Sequence, residues 1–291
     1  MPTVLPPAVW RAREAAHEER VDGLVAGHLA RRGRKHPVED FLWQYYGYRP
    51  AQLRRWHPGP GVVLEDAADL PRAQWPGYRS TVSGGVELDT AAFVQRRGDT
   101  VRFVRGLLTR TRERAPFFGC FGLHEWAMVY RATPEQVRHA GYPLRLGGAG
   151  TDSVVESATI RCSHFDAYRF FTPDARPFNT LDPQRDSQAE MEQPGCLHAG
   201  MDCYRWAFKL APAIPSELVA DAFALAREIR ELDMRAAPYD LAELGYAPIR
   251  IETPEGRAEY ASAQRAFSER SQAMRGRLIT ACEAVLAPVS A

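Results

Sequence analysis

Lysine is almost absent from this chain: of its 37 basic residues only Lys35 and Lys209 are lysines, and the rest are arginines. A GC-rich genome accounts for such a bias as well as bidentate phosphate recognition does, so the arginine count alone argues for neither. Cysteine is scarce too. Five cysteines, an odd number at irregular spacing, argue against a disulfide framework and for a reducing cytoplasm. No Cys-x-x-Cys pair occurs, which argues against a structural zinc site. No apolar run reaches about 18 residues, so no transmembrane helix is expected. The first residues, Met1-Pro-Thr-Val-Leu-Pro-Pro, lack the basic start and apolar stretch of a secretory signal. Internal repeats and low-complexity linkers are also missing. What remains is 291 residues, 45% hydrophobic and 25% charged, enough to bury a substantial core. The expectation is a cytoplasmic protein without a membrane partner or an obligate protein partner.

Charge is unevenly spread although the net value is only +1. Residues 1–119 carry 19 Lys/Arg against 13 Asp/Glu, whereas the remainder is acidic. Basic clusters stand at Arg31-Arg-Gly-Arg34-Lys35, at Arg54-Arg55, and from Arg96-Arg97 through Arg114. A footprint for phosphates looks like this, and so does a set of solvated helix faces. The segment Phe41-Leu-Trp43-Gln-Tyr45-Tyr46-Gly-Tyr48-Arg49, followed by Arg54-Arg55-Trp56-His57, interleaves aromatics with arginines. Such a run can stack on bases while touching phosphates, or can be the core face of a helix. Adjacent helical residues diverge, so Tyr45 and Tyr46 are not both core.

Periodicity predicts an amphipathic helix over 8–32, with Trp10, Val21, Leu24, Val25 and Leu29 on one side. A short helix follows His36-Pro37, and a short strand lies at 62–65 beyond Pro58-Gly-Pro-Gly61. Asp89 is the expected N-cap of a helix over 90–114. Helix is predicted at 120–131 and from Thr133-Pro-Glu-Gln136, and strand at 142–147 and over 155–171. Residues 173–196, with four prolines, read as a long irregular loop of the kind that often carries function. Helices are predicted at 197–210, at 216–236, and over about 30 residues from Thr253-Pro254, with Tyr260, Phe267, Met274, Leu278 and Cys282 facing inward. The expected fold class is α+β: a mostly helical single domain with a small antiparallel sheet and a long C-terminal helix. The expected division is an N-terminal helical arm at 1–35 and a catalytic domain at 36–291.

Three segments hold more chemistry than a core needs. They are Phe118-Gly-Cys-Phe-Gly-Leu-His124-Glu125-Trp126, Ile160-Arg-Cys-Ser-His164-Phe-Asp166-Ala-Tyr168, and Glu192-Gln-Pro-Gly-Cys196-Leu-His198-Ala-Gly-Met-Asp202. His124 and Glu125, adjacent on a helix, point about 100° apart and share no face. On a strand His164 and Asp166 share one. His198 and Asp202 share one by helical spacing. His164, Asp166 and His198 could form the two-His-one-carboxylate set of a non-haem iron oxygenase, or His164 and Asp166 a carboxylate base and the histidine that polarises it. Asn179, Arg185, Gln188, Glu192 and Gln193 offer donors and acceptors able to read a base or sugar edge, or simply cap turns. Cys162, Cys196 and Cys203 read as buried and inert.

Four stretches carry a resemblance: His36-Pro-Val-Glu-Asp40-Phe-Leu-Trp-Gln-Tyr45-Tyr46 with Arg54-Arg-Trp-His57-Pro-Gly59, Phe121-Gly-Leu-His124-Glu125-Trp126, Arg161-Cys-Ser-His164-Phe-Asp166 through Phe171, and Glu192 through Asp202. Over about residues 36–280 the chain resembles actinobacterial proteins labelled 3-methyladenine DNA glycosylase. It is also similar to the anti-phage glycosylases that excise glucosylated hydroxymethylcytosine. It lacks a helix-hairpin-helix glycine pattern and a Gly-x-Asp-Pro motif. The resemblance implies a hydrolase of glycosyl bonds acting in DNA repair or antiviral defence, with modified double-stranded DNA as partner and no cofactor or metal. Such an enzyme flips a base out of the stack and uses a carboxylate, alone or paired with histidine, to activate water. The resemblance gives that role to Asp166, then to Glu125 and Asp40, with His164 or His198 orienting or protonating the base. It gives the base pocket to Tyr45, Tyr46, Trp126 and Tyr168, together with Asn179 and Gln193. DNA contacts fall to Arg54, Arg55, Arg96, Arg97 and Arg185.

Overall fold

A computed structural model describes residues 2–31 and 33–287. Arg32, within the first basic cluster, lies outside them. The fold class is α+β, as the sequence predicts, and the chain divides into two units. Unit 1 is drawn from residues up to Thr109, from Cys203–Ala224 and from Met274 onward; unit 2 is drawn from Arg110–Asp202 and Leu225–Ala273.

Unit 1 holds the sheet. Strand β1 (Thr3–Leu5) precedes helix α1 (Pro7–Ala30), short helices α2 (Phe41–Tyr46) and α3 (Pro50–Arg54), and strands β2 (Val62–Leu64), β3 (Tyr78–Ser80) and β4 (Val86–Leu88). Their order is β1-β2-β4-β3. The β1–β2 pair is parallel, with Val4 opposite Val63, so the sheet is mixed and not purely antiparallel as expected. The other two pairings are antiparallel. This pairing also removes the expected boundary at residue 35, because Thr3 pairs with Val62 across α1. Trp10 of α1 joins Trp56, Leu64 and Val86 in one apolar cluster. Its indole donates to the Glu65 carbonyl at 3.1 Å. A buried tryptophan removes about 150–250 Å² from water, roughly 4–6 kcal/mol of hydrophobic stabilisation each. Trp10, Val21 and Val25 are buried as the periodicity predicts, whereas Leu29 is 54% exposed.

The aromatic and arginine-rich segment splits between core and surface. Phe41, Leu42, Trp43 and Trp56 are buried. Tyr45 and Tyr46 are both half-buried, Tyr45 stacked on Phe41 at 5.0 Å. Arg72 is buried among Trp10, Trp56 and Trp75, with its charge met by Glu14. Asp89 caps helix α4 (Thr90–Glu113) as predicted, its carboxylate accepting the Ala92 amide at 2.9 Å.

Unit 2 is built from short helices on long connections: α5 (Leu123–Ala127), α6 (Gly147–Glu156), α7 (Phe165–Tyr168) and α8 (Gln188–Met191). Helices α9 (Leu197–Lys209), α10 (Ser216–Ala236) and α11 (Pro254–Leu286) contribute residues to both units. These three match their predicted spans. Along α11, Tyr260, Met274, Leu278 and Cys282 are buried, and Phe267 is half-buried.

Four local expectations fail in unit 2. Helix α5 is five residues long, because Phe121 and Gly122 before it adopt left-handed φ of 47° and 74°. The capping bond from the Thr133 amide to Gln136 forms at 2.9 Å, yet only a turn follows. The strand expected at 142–147 is a single bridge between Leu144 and Tyr239. The strand expected over 155–171 is a bridge at Ile160 followed by helix α7. Residues 162–164 are buried and His164 is extended, but a side chain, Asn179, replaces the partner strand at Cys162. It accepts the Cys162 amide at 2.7 Å and donates to the Cys162 and Leu181 carbonyls at 3.0 and 2.6 Å.

Candidate functional site

The three histidine-bearing segments meet in unit 2, and α10 adds a fourth contributor that the sequence reading missed. His124 on α5 places Nε2 3.0 Å from Asp233 Oδ1 of α10. Its Nδ1 lies 3.5 Å from the Cys120 thiol. Arg230, one turn before Asp233, bonds Glu125 Oε1 at 2.6 Å and Asp233 Oδ2 at 3.1 Å. His124 and Glu125 thus diverge as helical geometry requires, yet both end on α10. Gly122 is needed at the approach: besides its positive φ, a Cβ there would lie 3.3 Å from that of Ala236.

His164 sits at the N-terminus of α7, 1% exposed. Its Nε2 lies 3.5 Å from Glu192 Oε1 and 3.4 Å from Asp202 Oδ2. His198 on α9 stands beside both other histidines, with ring centroids 4.5 Å from His124 and 5.3 Å from His164. A cavity of about 10 Å³ is lined by all three histidines, Cys120, Cys196 and the exposed Arg161. That is room for about one water.

The segment 192–195 is held rigidly against this centre. Arg114 donates to the carbonyls of Glu192 and Ala189 at 2.6 and 2.8 Å. Gln193 accepts the amides of Phe117 and Gly195 at 2.8 and 2.7 Å. Gly195 is required, since a Cβ there would come 2.4 Å from the Phe117 carbonyl oxygen.

Electrostatics differ among the histidines. For His124, burial opposes the charged form, but Asp233 outweighs it and raises the pKa well above the usual value. For His164, burial is likewise outweighed, here by Asp202 and then Glu192, and the pKa rises. His198 goes the other way: burial, with His124 and His164 adding to it, pushes its pKa far down. Glu125 is held at about 2, because Arg230 overcomes the cost of burial. Burial raises the thiols of Cys162 and Cys196, so neither is a thiolate nucleophile at neutral pH.

The expected residues are placed unequally. Asp166, expected to work with His164 from a shared strand face, lies on the first turn of α7 with its carboxylate 2.9 Å from Arg169 Nε. The carboxylates that face His164 are Glu192 and Asp202, so the grouping of His164, Asp166 and His198 is not the one formed. Asp40 belongs to unit 1, where it accepts from the His36 amide and lies 2.8 Å from His28 Nδ1. Trp126 is fully buried and donates to the Ala236 carbonyl at 2.9 Å, a core residue and not a pocket wall. Tyr168 is half-buried against Phe171. Asn179 and Gln193 spend their amides on backbone. Asn179→Ala is expected to lower stability by about 1–3 kcal/mol, by stranding buried backbone groups at Cys162. Urea unfolding measures it, and an unchanged midpoint would show that Asn179 is no staple.

Among the arginines, Arg54 is engaged by Glu18 and Asp22, and Arg185 lies over Phe165. Arg96 is exposed on α4. Arg55 and Arg97 line a second cavity, in unit 1, of about 360 Å³, together with Tyr48, Trp75, Phe208 and Lys209. Here Tyr48, and neither Tyr45 nor Tyr46, provides the tyrosine wall. His57 also lines it. Burial, reinforced by Arg72 and Arg55, lowers its pKa to about 3. Its Nδ1 shares a hydrogen bond of 2.8 Å with the Tyr78 hydroxyl.

Asp233 and Arg230 left a signal that could have been read. They interrupt the apolar face of α10 among Ala226, Ile229 and Met234, where ionic side chains are too costly to persist unpaired. No helix among the described residues is long and apolar enough to cross a membrane. No family model, no curated protein and no solved structure matches the chain.

Proposed function

We propose that this protein is a hydrolytic DNA glycosylase that removes a modified base, with its reacting centre in unit 2. The observation that carries the hydrolytic reading is the convergence of His124, His164 and His198 on a water-sized cavity, with Asp233 beside His124, and Glu192 and Asp202 beside His164. Groups of this kind move protons to and from water. In the proposed step a water oxygen bonds the sugar C1′ while the C1′–N bond breaks. The water's proton passes to the centre around His164 and Asp202, and the departing base takes a proton in return. The second neighbouring carboxylate, Glu192, stabilises the positive sugar, as carboxylates do in glycoside hydrolysis.

The substrate reading rests on the sequence resemblance and on the unit 1 cavity. Arg55, Arg97 and Lys209 bring positive charge, and Tyr48, Trp75 and Phe208 offer ring faces. That combination holds phosphates and stacks bases without reading sequence. Its volume falls in the range of about 300–1,000 Å³ usual for ligand sites. Arg97→Ala and Lys209→Ala should each weaken DNA binding and reduce the slope of log K against log salt by about 1. Fluorescence anisotropy across a salt series measures this, and unchanged slopes would remove the cavity from the DNA interface. The activity is tested by incubating purified protein with duplexes carrying alkylated or glucosylated bases and then cleaving abasic sites with alkali. Strand breaks at the modified position support the reading, and intact duplexes from every substrate refute it.

A further inference from the structure

We infer that unit 2 binds two divalent first-row transition-metal ions on adjacent triads, one of His124, His198 and Asp233, the other of His164, Glu192 and Asp202. In each triad the ligand atoms all lie within 4.8 Å of one another, and all six side chains are buried. The inference needs only this coordination geometry and does not depend on which bond the protein cleaves.

Contacts between the ligand atoms have the spacing of a shared ion and lack the angles of hydrogen bonds. Two ligands about 2.1 Å from one metal, at angles near 90–110°, sit about 3.0–3.4 Å apart. His124 Nε2 and Asp233 Oδ1 are 3.0 Å apart, yet both atoms are buried without a hydrogen-bond partner. His164 Nε2 stands 3.5 and 3.4 Å from its two carboxylates, and neither of its ring nitrogens makes a hydrogen bond. A structural His–carboxylate pair buried this deeply would align its proton, since an unsatisfied buried polar group costs about 1–3 kcal/mol.

The outer contacts turn the same atoms inward. Cys120 engages His124 at Nδ1, which leaves Nε2 for Asp233. Arg230 engages Asp233 at Oδ2, which leaves Oδ1 for His124. Metal-binding histidines and carboxylates are oriented in this way by partners on their far side. Asp233, Glu192 and Asp202, with Glu125 next to Arg230, also concentrate negative charge that two cations would offset. The donors are imidazole and carboxylate, which suits zinc, manganese or iron(II) better than copper(I) or a thiolate-bound ion. Bound ions would lower the pKa of a water in the small cavity, with the carboxylates then acting as ligands.

The test is metal stoichiometry of the full chain, measured by dialysis against a chelator, titration with Zn²⁺ or Mn²⁺, and elemental analysis after desalting. The wild type is expected to hold two ions per chain. His164→Ala and His124→Ala are each expected to hold one. Asp166→Asn, whose carboxylate is met by Arg169, is expected to hold two. A wild-type stoichiometry of one or zero overturns the inference, whether or not the substituted chains fold. Equal stoichiometry in folded wild type and both histidine variants overturns it as well.

Discussion

Arg230→Met is expected to lower the unfolding free energy by about 3–5 kcal/mol, the cost of removing one partner from a buried ion pair. Arg230 is 1% exposed, and its guanidinium lies 2.6 Å from Glu125 and 3.1 Å from Asp233, both of them buried. Methionine fills the space but leaves two carboxylates in a low-dielectric setting without their cation. Their desolvation is then uncompensated, and mutual repulsion adds to it. Adding Glu125→Gln to Arg230→Met should recover part of the loss, because one stranded charge is gone. Urea unfolding of the wild type, both single variants and the double variant forms the cycle that isolates the coupling. A single-variant loss below about 1 kcal/mol, the size of an exposed pair, would show that the cluster is solvated.

The second large effect is on activity. His164→Ala and Asp202→Asn are each expected to reduce base excision by about 10³-fold, within the range contributed by one positioned acid or base. Asp166→Asn should cost less than about 10-fold, since Arg169 takes its carboxylate and Glu192 and Asp202 face His164. Single-turnover excision on a duplex with one modified base separates these outcomes from effects on binding. If Asp166→Asn is as damaging as Asp202→Asn, the reacting carboxylate is Asp166, and the ranking drawn from the structure is wrong. The comparison is informative because all three positions are buried, so folding losses are matched by thermal denaturation before rates are compared.

The sequence was most legible where a signal is local and repeated. Helices α9, α10 and α11 were predicted at their observed spans, because long amphipathic patterns, with Ser216 starting α10 and Thr253-Pro254 starting α11, leave few alternatives. Asp89 as the cap of α4 was equally readable, since the cap bond joins residues three apart. Legibility failed over 155–171. The β-branched and aromatic content there reads as strand, and residues 162–164 are in fact buried before α7, with His164 extended. What the sequence could not show is that Asn179, 17 residues later, supplies the bonds a neighbouring strand would.

The candidate site divides along the same line. That His124, His164 and His198 were the candidates for this chain's chemistry was evident from residue types alone, because each lies near a carboxylate and a cysteine in the sequence. Which carboxylate each histidine faces was not. Strand periodicity joined His164 to Asp166, two residues away, whereas folding joined it to Glu192 and Asp202, and joined His124 to Asp233 more than a hundred residues on. Sequence by itself determined the inventory: the long helices, the histidines, the basic N-terminal half. Only the tertiary structure decided the pairing. Side-chain pairing depends on which faces of distant helices pack together, and burial then compels each charged group to find its partner wherever that packing brings one.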